Sequence, residues 1–161
     1  MKNQSEQEPI CCPPFNPDLW DEKVLEWDHK KFIKERVFTL FYMPVNFGKV
    51  MVRFNKTVEK AGAEMPDALC LSEHTSKWNM DLYLAVDKEI PGAKNATLSG
   101  RYFCKVYEGP FRDTEKWCND YERIANTRRL KTGKIFMWYT TCPKCAKKYG
   151  KNYVAILGKV D

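Results

Sequence analysis

No stretch of this 161-residue sequence approaches the roughly 18 to 20 consecutive apolar residues that span a bilayer, so no membrane partner is expected. Its amino terminus, MKNQSEQEPICCPP, lacks the continuous apolar core of a signal peptide, and a cytoplasmic location is expected. Histidine is scarce, with only His29 and His74, and no helix-turn-helix, zinc-finger or RNA-binding aromatic motif occurs. Nothing in the composition fits collagen, a mucin or extended disorder.

What is present suits one compact domain: 43% hydrophobic, 14% aromatic and 30% charged residues, with a net charge of +6. Seven cysteines are an odd number in a chain long enough to bury a core without staples, so most read as reduced thiols. From Arg123 to Lys159 there are ten Lys or Arg and no Asp or Glu. With no recognition motif beside it, that charge reads as a solvated lysine face, and a nucleic-acid partner is not expected.

Residues 1–31 differ in kind from the rest. Pro9, Pro13, Pro14 and Pro17 surround the start of a segment carrying Trp20, Leu25 and Trp27. The first dozen residues read as a tail. The tryptophans are too apolar to leave in water, so residues 15–31 are expected to wrap over the domain formed by residues 32–161 and plug a gap.

Phe32 to Tyr42 is rich in β-branched and aromatic residues and reads as a strand stopped by Met43-Pro44. Asn46 can cap a helix whose apolar positions Phe47, Val50, Phe54, Val58 and Ala61 recur at three and four, with Gly62 as terminator. Residues 68–74 and 79–86 form a hairpin. A strand over residues 97–108, a Gly109-Pro110 turn, a helix carrying Trp117, Tyr121, Ile124 and Ala125, and strands over residues 134–141 and 152–160 follow. The order is strand, helix, three strands, helix, two strands. It looks duplicated, because RVFTLFYMP superposes on RYFCKVYEG, pairing Arg36 with Arg101, Phe38 with Phe103 and Tyr42 with Tyr107. The same offset lays Ser72 on Met137 and His74 on Tyr139.

The Gly-Arg-Tyr strand of SGRYFCKVYEGPF (Ser99 to Phe111), running into a Gly-Pro before the second helix, and the aromatic strand ahead of the last hairpin resemble the GyrI-like small-molecule-binding domain, a relative of the SOUL fold. The resemblance spans residues 33–160. It implies an α+β fold in which duplicated βαββ halves form one curved, mainly antiparallel sheet, with two helices on one face and a cleft on the other. It also implies binding of bulky apolar compounds, and in some members hydrolysis of strained cyclopropane electrophiles. The carboxylate that such sensors place two residues before a strand tyrosine falls here on Met137, ahead of Tyr139. A neutral or electrophilic ligand is therefore expected rather than a cationic drug.

Alternation along residues 80–86 sends Met80, Leu82, Leu84 and Val86 toward the helices and Asp81 and Tyr83 toward the cleft. The family alignment places Met137 and Tyr139 there too. Tyr83, Met137, Trp138, Tyr139, Tyr42 and Tyr107 are thus the candidate ligand-binding residues. Candidates for polarising water are His74, which titrates near neutrality, and the carboxylates Asp81 and Glu108, with Glu73 close by. Cys142-Pro-x-Cys145, flanked by Lys144, Lys147 and Lys148, has the form of a redox or zinc motif. Too little chain follows it to complete a thioredoxin fold, and one pair supplies only half of a zinc site. The expectation is a protein that binds a hydrophobic aromatic molecule in a cleft between the halves and hydrolyses an electrophilic one. It needs no cofactor, and a homodimer is compatible. The contrasting readings are passive sequestration and a Cys142/Cys145 redox or metal module.

Overall fold

The computed structural model describes residues 14–41, 43–140, 147 and 149–160. Tyr42, Cys142 and Cys145 lie outside the described residues. The chain runs β1 (Lys23–Leu40), β2 (Met43–Pro44), α1 (Phe47–Ala61), β3 (Cys70–His74), β4 (Asn79–Ala85), β5 (Asn95–Glu108), α2 (Thr114–Thr127), β6 (Thr132–Tyr139) and β7 (Tyr153–Val160).

The sheet corrects the expected open, curved one. Strands are ordered β1-β4-β3-β6-β7-β5, and β5 pairs again with β1, so six antiparallel strands close into a barrel, with β2 appended outside β1. The physical reason is the length of β1. Lys23 to Ile33 pair with β5 and Phe32 to Phe38 pair with β4, and Phe32 and Ile33 have partners on both sides. Residues 23–31, read from sequence as part of a wrap, are therefore a stave of the barrel. A register shift between Trp27 and Lys30, with His29 at a left-handed φ of 50°, bends the strand from one neighbour to the other. Opposite Trp27, Gly100 has φ 119°, a value that disfavours a side chain, and a Cβ there would come within 3.0 Å of the Lys159 side chain.

Both helices lie against the outside of the barrel. On α1, Val50, Phe54 and Val58 form the buried stripe and pack on Ile33, Val37, Met80, Leu82 and Leu84. Full burial of side chains this size contributes roughly 1.5–3 kcal/mol each. Gly62 ends the helix in the left-handed conformation, whereas the Asn46 side chain accepts a hydrogen bond from the Phe38 amide instead of capping. On α2, Trp117, Tyr121 and Ala125 are buried, and Trp117 and Tyr121 pack with Phe103, Met137, Val154 and Ile156.

The α2 seam is held close by one missing side chain. A Cβ on Gly158 would sit 2.5 Å from the Tyr121 hydroxyl oxygen, which donates to the Phe103 carbonyl at 2.7 Å. Gly158→Ala is expected to destabilise the protein by about 1–3 kcal/mol in urea unfolding, with a smaller loss when Tyr121→Phe is already present. An unchanged midpoint would contradict this close approach.

Candidate functional site

Strand alternation divides the barrel into an inner wall and a helix-facing side. The inner cluster holds Phe32, Leu71, Tyr83, Tyr102, Cys104, Phe136, Trp138 and Leu157, with Phe15, Trp20, Leu25 and Trp27 packed against it. Rings touch throughout. Trp20 meets Trp138 at 4.8 Å, Phe15 meets Trp138 at 5.2 Å, Trp27 meets Tyr102 at 4.6 Å and Tyr83 meets Phe136 at 5.4 Å, measured between centroids. Six strands enclose less space than the eight whose interior side chains already fill, so the amino-terminal rings occupy the hollow expected to be a cleft. A groove of about 610 Å³ lies outside the barrel instead, between α1 and the loop at Ile90 to Lys94.

Along β6 the inward row runs Trp138, Phe136, Lys134, and at Lys134 the wall turns polar. Glu73 accepts from Lys134 Nζ at 3.0 Å and from the Tyr83 hydroxyl at 3.3 Å. Asp81, 8% exposed, faces Arg36 Nε at 3.2 Å and Lys34 Nζ at 3.6 Å. Lys34 also lies 5.1 Å above the Tyr83 ring, and its pKa is raised by hydrogen bonding to Tyr83, against the cost of burial, and by Asp81. Burial opposes the Lys134 charge, but the bond to Glu73 and its negative charge outweigh that and raise the Lys134 pKa. A groove of about 280 Å³ lined by Lys34, Glu35, Arg36, Asp81 and Lys94 opens beside this cluster.

The structure brings together Asp81, Tyr83 and Trp138 on the inner wall. Met137 and Tyr139 lie instead in the cluster under α2, because Phe136 and Trp138 take the inward positions of β6. Tyr107 is there too, its ring stacked on Trp117 and its hydroxyl donating to Asp120 at 2.8 Å. Burial pushes the Tyr139 hydroxyl up to about 12, and burial, followed by the bond to Asp120, raises the Tyr107 hydroxyl above its ordinary value. His74 pairs across the hairpin with Met80 on the helix-facing side, and Glu108 is exposed at the far end of β5. Glu73, which alternates with His74, reaches the wall beside Asp81. Lys34 and Lys134 were invisible as site residues, since isolated lysines on a strand carry no signature. Burial pushes the thiols of Cys70 and Cys104 up to about 12, where they are poor nucleophiles. Among the described residues no group of three or more His, Cys, Asp or Glu could hold a metal ion, and no helix is long and apolar enough to cross a membrane.

Over residues 2–160 the sequence matches the family described as Bacterial hydrolase. The chain belongs to that family. No curated protein matches it. Among solved structures, the EcmrR C-terminal domain aligns with a TM-score of 0.67 at 12% identity, covering 89% of this chain and 98% of that one. SAV2435 bound to tetraphenylphosphonium aligns with a TM-score of 0.49 at 14% identity, covering 86% of this chain and 93% of that one. The fold shared by this member of the family and the EcmrR domain fits the GyrI-like resemblance seen at Ser99 to Phe111.

Burial holds the His74 imidazole below its ordinary value of 6.5. The unfolded chain regains that value and binds more protons between the two, so stability is lost as pH falls from about 6.5 toward the folded value. His74→Asn is expected to make urea midpoints fall less between about pH 7 and pH 5. Equal slopes for the two proteins would count against a buried, depressed imidazole.

Proposed function

We propose that this protein binds an apolar, ring-bearing small molecule on the inner wall of its barrel and adds water to an electrophilic carbon of that molecule at the polar end. The observation carrying this reading is the continuity of the wall, in which Trp138, Phe136 and Tyr83 lead directly into Glu73, Lys134 and Lys34. Ring faces and edges offer affinity for a flat apolar body, and a few convergent polar groups orient it. Two carboxylates, Glu73 and Asp81, stand against three cations, Lys34, Arg36 and Lys134. That balance favours a neutral electrophile over a cationic ligand.

In this scheme Glu73 takes a proton from water as its oxygen bonds to the carbon. The strained ring bond breaks, and the departing atom receives a proton from the Tyr83 hydroxyl or the Lys34 ammonium. Asp81 holds Lys34 and Arg36 in place. Membership of a family described as Bacterial hydrolase supports the hydrolytic step. His74 and Glu108 stand outside the scheme, one facing the helices and the other at an exposed strand end.

Phe15 and Trp20 cover Trp138, so the ligand must displace them. Trp20→Ala is expected to tighten binding of an uncharged polycyclic dye by about tenfold in a fluorescence titration, because less of the wall is already occupied. An unchanged Kd would place the ligand elsewhere. With an epoxide or cyclopropane substrate, Glu73→Gln is expected to lower kcat by roughly 10²–10⁴-fold with little change in Kd. Tight binding without turnover by the unaltered protein would leave sequestration as the function.

A further inference from the structure

Beyond the last pairing of β1 with β4, at Phe38 and Asn79, β1 continues alone with the short β2. This projecting knuckle and the adjoining turn before β4 expose five large apolar residues: Phe38 (61%), Leu40 (55%), Phe41 (64%), Val45 (69%) and Trp78 (51%). The segments that carry them are tied together. The Phe41 and Trp78 rings lie 5.2 Å apart, the Val45 amide donates to the Phe38 carbonyl at 2.9 Å, and the Thr39 amide donates to the Trp78 carbonyl at 2.8 Å. Large apolar side chains exposed together in this way mark a contact surface.

The charge around the patch selects its partner. Between Arg36 and Val58 the sequence has Arg36, Lys49, Arg53 and Lys56 and no Asp or Glu, and Lys77 adjoins Trp78. Lys49 and Lys77 make no ion pair among the described residues, whereas Arg36 and Arg53 are paired with Asp81 and Glu35. A two-fold contact with a second copy would bring two basic rims together, which is unfavourable. The apolar residues stand on the tips of a hairpin and a turn rather than in a groove, a shape suited to entering a soft surface. Exposed Trp and Phe flanked by lysines fit the boundary between anionic headgroups and acyl chains. We infer that this knuckle docks the protein on an anionic membrane surface, Phe41 and Trp78 entering the headgroup boundary while Lys49 and Lys77 face the lipid phosphates. This is a peripheral contact and involves no spanning segment.

Flotation of the full chain with vesicles of equal parts phosphatidylcholine and phosphatidylglycerol, at low ionic strength, tests it. Binding is expected there and not to phosphatidylcholine alone. Phe41→Ser with Trp78→Ser, at positions already exposed, is expected to weaken it at least about tenfold, and so is Lys49→Glu with Lys77→Glu, where apolar packing is untouched. Circular dichroism and sedimentation run alongside. No binding by the unaltered protein, or binding that survives either pair of substitutions in folded protein, overturns the inference. A dimer that Phe41→Ser with Trp78→Ser dissociates, without vesicle binding, assigns the patch to a second copy and equally overturns it.

Discussion

Everything about the inner wall depends on the pairing that joins the first strand to the fifth. Without the nine registered residues from Lys23 to Ile33 on β5, the six strands would leave two open edges and the rings of Tyr102, Phe136 and Trp138 would face water across a trough. Closure turns that trough into an enclosure and faces Trp27 with Tyr102. It also removes the unpaired backbone groups that make sheet edges sites of unwanted association. The bend at His29 is what lets one chain segment serve two neighbours.

Inside the enclosure, the polar end and the aromatic end restrain each other. Glu73 and Asp81 would be costly to hold beside Tyr83 and Phe136 without partners, and Lys134, Lys34 and Arg36 supply them. At the opposite end Phe15 and Trp20 shield Trp138, so the hydrophobic contact that stabilises the resting protein is made with the same surface a ligand would use. On the proposed function, stability and occupancy are coupled through one wall.

The period-three-and-four stripe of α1, the alternation at Met80 to Val86 and the Gly62 stop were all readable, because each is a local pattern that packing merely confirms. Faces were harder. A one-residue slip in a strand moves every side chain to the other side, so an internal alignment that set Phe38 on Phe103 joined an exposed residue to one buried beneath α2. The same kind of slip separates Met137 and Tyr139 from Asp81 and Tyr83. Ser72 and His74 lie opposite Leu82 and Met80, which places that alternation on the helix side, and Glu73 takes the inward place. Closure itself had no local signal. It arises because an apparent tail is a continuation of the first strand, and its partners Thr97 to Cys104 are far away in sequence. Lys134 and Lys34 acquire meaning only from the carboxylates the register brings opposite them.

That long-range seam also orders events during synthesis. Phe15, Trp20 and Trp27 leave the ribosome well before Tyr102, Trp138 and Tyr153, on which their shelter depends. Non-local strand pairing is slow because distant segments must meet before either gains contacts. Until β5 and then β6 arrive, the nascent chain presents these rings uncovered, and exposed apolar surface of that kind is what makes partly folded chains prone to aggregation.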